Sequence, residues 1–103
     1  METTKNIINE EKVVISPEGE IDFTNSQTLK RELLDLFNDG YKDVIIDFGD
    51  VEGIDSSGLG KLLLFHKKLK EKEGKLTIRN IQSEYIRNMF DMIHLHKVIE
   101  IED

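Results

Sequence analysis

Two rhythms of apolar residues run along the chain. In "KNIINEEKVVISPEGEID", Lys5 to Asp22, short apolar runs are broken by polar residues, which predicts two extended pieces turning around Glu10–Lys12 as an N-terminal hairpin. Pro17 has no N–H for a ladder, so this part of the second strand belongs at an edge or a bulge, and Gly19 breaks the pattern again. In "TNSQTLKRELLDLFNDG", Leu29, Leu33, Leu36 and Phe37 recur at helical spacing. Thr24 with Gln27 fits a capping box at the start of this helix, and Gly40 fits a stop at its end. "DVIIDF" is short, β-branched and continuously apolar, the pattern of a strand covered on both faces. "SSGLGKLLLFHKKLKEKEG" returns to helical spacing, with Leu59, Leu62, Leu63 and Leu69 assigned to one face and Gly74 to the close. "KLTIRNI" reads as a strand. "SEYIRNMFDMI" reads as a helix capped by Ser83, with Ile86, Met89, Phe90 and Ile93 as its inner stripe, and "HKVIEI" reads as the last strand.

The predicted order is therefore ββαβαβαβ. Strands alternating with helices imply crossovers and a largely parallel sheet, so the fold class is α/β: a mixed, mostly parallel sheet of about five strands with its helices mainly on one side. No internal repeat, low-complexity tract or linker interrupts the pattern, and residues 1–103 read as one domain. Ligands and partners of such sheets gather beyond the C-terminal ends of the strands, and the segment Gly49 to Ser57 sits at such an end, just before a helix.

Charge narrows the partners. Fourteen basic against twenty-one acidic residues leave a net charge of −7, the wrong sign for attraction to nucleic acid or anionic lipid. The absence of cysteine rules out disulfides, thiolate metal sites and a cysteine nucleophile. The negative net charge suits a partner that is a protein or a cation. "METTKNIINEEK" has no apolar targeting region and no apolar run approaches a membrane span, so the expected location is the cytoplasm.

The candidate chemistry lies in "VEGIDSSGLGKLLLF", Val51 to Phe65. Gly53 and Gly58 have the gap of a phosphate-cradling loop, but Leu59 and Gly60 stand where its lysine and hydroxyl would follow; Lys61 comes two positions late. The dinucleotide fingerprint fails at Leu63. A hydrolase elbow needs glycines two residues either side of the serine, and neither Ser56 nor Ser57 has them. His66 lies about 15 Å down the helix at 1.5 Å per residue, too far for a triad with the loop serines. His94 and His96 could share one face of an extended segment, and Asp47, Asp50, Glu52 and Asp55 form an acidic run. Surface histidines beside a strand and solvated loop ends account for both, so no metal and no cofactor is expected. What remains is a helix N-terminus carrying hydroxyls. Asp55 or Ser56 as a plain cap, with Gly58 and Gly60 permitting tight packing, is one reading; a serine that accepts phosphate covalently is the other.

"IDSSGLG", Ile54 to Gly60, resembles the signature of STAS domains, specifically bacterial anti-sigma factor antagonists. "GEID", Gly19 to Asp22, is similar to the element ahead of that family's first helix, and "VIIDFGDVEGIDSSGLG" to its central strand, loop and switch helix. The likeness extends over about the whole chain. Two departures accompany it: Pro17 stands where relatives continue the strand, and "IEIED" leaves little room for a further helix. The resemblance implies a regulator and not an enzyme. It implies that Ser56, next to Asp55, is phosphorylated by a serine kinase that doubles as the anti-sigma factor. The unphosphorylated form would bind the kinase and free its sigma factor, and a phosphatase would reset the switch. It gives Ser57 a structural part, places Asp22 near the switch serine, and makes Asp55, Ser57, Gly58, Leu59 and Gly60 the switch loop. A partner-switching module with another output (a phosphatase, cyclase or stress complex) stays open beside it, as does, more remotely, a weak nucleotide binder.

Overall fold

Strands and helices alternate much as the apolar rhythm requires, and two short strands add to it. The computed structural model describes residues 1–102. Strands β1 (Thr3–Ile7) and β2 (Lys12–Pro17) form the hairpin, followed by β3 (Gly19–Ile21) and helix α1 (Ser26–Asn38). Next come β4 (Asp43–Asp47), β5 (Val51–Ile54), α2 (Ser56–Glu71), β6 (Lys75–Arg79), α3 (Glu84–Met92), a 3-10 turn (Leu95–Lys97) and β7 (Glu100–Glu102). The main sheet has five strands in the order β1-β2-β4-β6-β7, antiparallel at β1–β2 and parallel from β2 onward.

The pleat divides this sheet into two faces. Val13, Ile15, Val44, Ile46, Leu76 and Ile78 point to one side. There they join Leu29, Leu33 and Leu36 of α1, Leu62, Phe65 and Leu69 of α2, and Ile86 and Phe90 of α3 in one buried cluster. Phe48, just past β4, meets Phe90 with ring centroids 6.0 Å apart at 60°. All three helices thus share one side. On the other face Val14, Ile45 and Thr77 are buried among charged neighbours, which pair across strands: Lys12 with Asp43 (4.0 Å), Arg79 with Asp47 (3.7 Å) and Lys75 with Glu100 (3.3 Å). Burial of the β4 centre on both faces, expected from its continuous apolar run, is observed.

Both ends of the hairpin have local causes. Asn9 Oδ1 accepts the N–H groups of Glu11 and Lys12 at 2.9 Å, closing the turn over residues 8–11. Pro17 ends β2 beyond the last pair with β4, where only β1 lies beside it, so its missing N–H costs no ladder bond. Gly19 follows with φ +84° and a register irregularity, and the chain leaves the main sheet there.

Several expectations are corrected. The capping box does not form: Thr24 hydrogen-bonds to Asp22, and α1 begins after Asn25, with no side-chain cap. Gly40 does end α1, at φ +99°, with Gly40 N–H on Phe37 C=O and Tyr41 N–H on Leu36 C=O. In α2 the left-handed stop is Glu73 (φ 61°) and not Gly74. Gly74 is small for another reason: a Cβ there would lie 2.5 Å from the Lys42 carbonyl oxygen. Leu63 faces outward and Phe65 takes its place in the core; Ile93 is exposed, just past α3. The last strand is only three residues long, and "LHK" before it is a 3-10 turn.

Candidate functional site

The two short strands assemble the site. β3 and β5 pair in parallel as a separate two-stranded sheet, with Ile21 opposite Ile54. Each strand is followed directly by an aspartate, so Asp22 and Asp55 leave the ladder side by side, each at the approach to a helix. "GEID" and "GIDSSGLG" are therefore the ends of one ladder. The sequence pattern reads as a loop over Val51–Ile54 because Glu52 and Gly53 hide a strand only four residues long.

Asp55 is the cap of α2 and more. Its Oδ1 accepts the Ser57 hydroxyl at 2.6 Å and the Gly58 N–H at 3.0 Å. Its Oδ2 reaches across to the Phe23 N–H at 3.1 Å, and its own N–H donates to the Ile21 carbonyl at 3.0 Å. One carboxylate thereby caps α2 and ties down the loop leading to α1. The Ser57 hydroxyl, first, and then the Gly58 N–H hold its pKa below the ordinary 3.8, since both hydrogen bonds favour the ionised form.

Asp22 organises the neighbouring loop. Its side chain accepts the N–H and hydroxyl of Thr24, and its carbonyl accepts the N–H groups of Asn25 (3.1 Å) and Ser26 (2.7 Å). Asn25 answers by accepting the Asp22 N–H through Oδ1 and donating Nδ2 to the Glu20 carbonyl.

The adjacent serines have different surroundings. Ser57 is half-buried and its hydroxyl is committed to Asp55. Ser56 is exposed, in the first turn of α2, and its hydroxyl has no hydrogen-bond partner among the described residues. The two glycines differ as well. A Cβ on Gly58 would stand 2.7 Å from Ile21 Cγ2, 3.0 Å from Ile54 Cγ1 and 3.2 Å from the Ile21 carbonyl, so Gly58 lets the start of α2 sit directly on the β3–β5 ladder. Nothing lies within 4 Å of the same position on Gly60, whose small size serves no packing, contrary to expectation. Leu59 is half-buried against the core, its N–H on the Asp55 carbonyl at 2.9 Å.

A shallow cleft of about 210 Å³ opens at this corner, and Glu20, Asp22, Asp55 and Tyr85 are among the residues that line it. Tyr85 is 71% exposed and Phe23, between Asp22 and Thr24, is 78% exposed. Neither belongs to a motif that marks the site in the sequence. Their signal was an aromatic residue off the inner stripe of its helix, and one isolated between two polar residues.

The acidic run does not converge. Asp47 is occupied by the Gly49 N–H (2.8 Å), Asn80 (3.1 Å) and Arg79, whereas Asp55 is committed to α2. His94 and His96 stack edge to face, 5.9 Å apart, on the 3-10 turn and not on an extended segment. Among the described residues, no three histidine, aspartate or glutamate side chains are gathered in a way that could hold a metal ion. Burial, and then the Lys70 charge, push the His66 pKa down; it forms no hydrogen bond with either serine. No helix among the described residues is long and apolar enough to cross a membrane.

The family model described as the STAS domain matches residues 1–103. An anti-sigma-B factor antagonist from Bacillus subtilis is 33% identical over 93 residues, which is 90% of this chain and 84% of that protein. The chain is a STAS domain of the anti-sigma factor antagonist family. Solved structures share its fold. The crystal structure of TM1081 from Thermotoga maritima aligns with TM-score 0.89 at 24% identity, covering 97% of this STAS domain and 85% of the other chain. The Bacillus cell fate determinant SpoIIAA in its phosphorylated form aligns with TM-score 0.75 at 23% identity, covering 97% and 90%. The five-stranded mixed sheet with three helices is thus the architecture of this family.

Proposed function

We propose that this STAS domain is a partner switch controlled by phosphate on Ser56. The observation that carries the reading is the contrast at the start of α2: Ser57 is tied to Asp55, and Ser56 is exposed with a free hydroxyl. In the proposed reaction a serine kinase supplies ATP and a base. The Ser56 Oγ attacks the γ-phosphorus, the bond to the β-phosphate oxygen breaks, ADP leaves, and the hydroxyl proton passes to the kinase base. The protein itself is substrate and ligand and not an enzyme; no cofactor has a part.

Phosphate at that place adds about two negative charges at pH 7. Asp22, Asp55 and Glu20 already make the corner acidic. The helix N-terminus accommodates the new charge on its own chain, but a partner surface that fitted the hydroxyl meets a bulky dianion. The relatives' names, anti-sigma factor antagonists, support a sigma-factor output for this reading. The unphosphorylated form binds an anti-sigma factor that is also the kinase, freeing a sigma factor in the cytoplasm, and a phosphatase restores it. Asp22, Phe23, Gly60 and Tyr85 surround the contact.

Incubation with ATP and the cognate kinase, with the phosphate mapped by mass spectrometry, tests the site. Ser57→Ala retains the label and Ser56→Ala loses it. Equal labelling of Ser56→Ala and the wild type would sink the assignment. Pull-down with Ser56→Ala against Ser56→Asp then separates a sigma-factor output from any other, through the partner that the first retains and the second loses.

A further inference from the structure

Away from the switch corner, α1 and α2 leave a groove between them of about 280 Å³. Its apolar part is Leu34, Leu64 and Phe65, and its rim is Lys30, Lys61 and Lys68. Leu64 is 60% exposed, an uncommon position for a leucine in the middle of a helix that has a buried face of its own. A second cleft of about 240 Å³ shares Lys30 and Leu34 and adds Arg31. Neither cleft has a carboxylate in its lining.

That charge distribution is unusual for this chain. Acidic residues outnumber basic ones by twenty-one to fourteen, yet four cations and no acids line these two clefts. Among the described residues Lys30, Arg31 and Lys61 form no ion pair, and Lys68 lies over the Phe37 ring, 5.1 Å from its centre. On the open face of the sheet, by contrast, Lys12, Lys75 and Arg79 each have an acid beside them.

We propose that the α1–α2 groove is a docking site for an acidic amphipathic helix of a protein partner. The apolar floor suits leucine-like side chains at helical spacing, and the lysine rim suits glutamates or aspartates flanking them. A nucleic acid backbone offers nothing apolar for Leu34 and Leu64, and an anionic bilayer is an extended surface that meets the whole chain's net charge of −7, whereas a helix seated in the groove meets chiefly its lysine rim. The site is independent of the reading of Ser56. Leu64 lies eight residues further along α2, about 12 Å at 1.5 Å per residue, so a partner seated there is not displaced by phosphate at the helix start.

The test is an NMR titration of the full-length isotope-labelled chain with a synthetic helical peptide that has a leucine face flanked by glutamates. A peptide with lysine in place of each glutamate serves as comparison. The acidic peptide should shift the amides of Leu34, Lys61, Leu64 and Lys68, and added salt should weaken it. Leu64→Asp and the pair Lys61→Glu with Lys68→Glu should each weaken it by about tenfold or more. These side chains are exposed or half-buried, and an unchanged unfolding midpoint verifies that the variants fold. Ser56→Asp should leave the affinity within about twofold, because the phosphate position is remote. The proposal is overturned if the acidic peptide leaves the groove unshifted or if the basic peptide binds equally well. Binding to phosphatidylserine vesicles in preference to the peptide would overturn it too, as would sedimentation showing a dimer that Leu64→Asp dissolves, since the occupant would then be a lipid surface or a second copy.

Discussion

At the start of α2 the residue before the helix is Asp55, whose carboxylate takes the Gly58 N–H and the Ser57 hydroxyl with one oxygen and the Phe23 N–H with the other. At the start of α1 the corresponding residue is Asn25, whose side chain turns backward to the Asp22 N–H and the Glu20 carbonyl and leaves the helix without a side-chain cap. The two helix starts lie next to each other because β3 and β5 are paired. One is a closed turn held by its own residues; the other is a joint that holds both helices. The exposed hydroxyl of Ser56 sits on the joint. A serine on the α1 side, such as Ser26, is buried and could not serve.

The strongest way to break this joint is to lift α2 off the ladder. Gly58→Val puts bulk where a single Cβ already falls within 2.7 Å of Ile21 and near its backbone carbonyl, which no rotamer change relieves. A destabilisation of about 3 kcal/mol is expected, at the upper end for overpacking. Gly60→Ala, two residues on and with open space around it, should instead stabilise by about 1 kcal/mol, the helix-propensity difference. Urea denaturation of the two variants checks both signs. If Gly58→Val were as stable as the wild type, the tight seat of α2 would be wrong.

The joint also has a pH signature. Asp55 has a pKa below 3.8 in the folded chain, so folding favours its ionised form. Its contribution to stability is complete above about pH 3.8 and is lost as the pH falls through the lower folded value. Above that window Asp55→Asn should be less stable than wild type, and the two denaturation curves should converge below it. Because the Ser57 hydroxyl is the largest cause of the shift, Ser57→Ala should return the Asp55 carboxyl toward 3.8 in an NMR titration. Ser56→Ala should not move it. Equal titration of Asp55 in wild type and Ser57→Ala would remove the distinction between the serines.

Much of the fold follows from periodicity, because the central strands and the inner stripes of the helices are set by burial. The capping of α3 by Ser83 (3.2 Å to the Ile86 N–H) and the left-handed Gly40 have local sequence signals. The site was legible as two motifs but not as one place. β3 has three residues and β5 has four, too few to show alternation, and only their pairing brings Asp22 beside Asp55. Thr24 was misread because its hydroxyl is equally served by Asp22, two residues before it, as by a helix N–H. Leu63 and Phe65 were exchanged because a run of four apolar residues, Leu62 to Phe65, fits more than one helical face. The same run supplies Leu64 to the α1–α2 groove, so its ambiguity came from serving two surfaces.

The smallest effect is expected at Ser56, the proposed switch residue, and that is the most informative contrast with Gly58. Ser56 is exposed and bonded to nothing through its side chain, so Ser56→Ala should change stability by less than about 0.5 kcal/mol. Ser56→Asp places a carboxylate where the helix dipole favours it by about 0.3–1 kcal/mol, opposed by the neighbouring Asp55 charge, and the net change should again fall within about 0.5 kcal/mol. Thermal unfolding of the two variants beside wild type measures this. A large loss in either would mean that phosphate at Ser56, as proposed, would act by loosening the start of α2. Unchanged midpoints, together with loss of the partner by Ser56→Asp alone, would place the switch in the charge of the surface and leave the fold beneath it rigid.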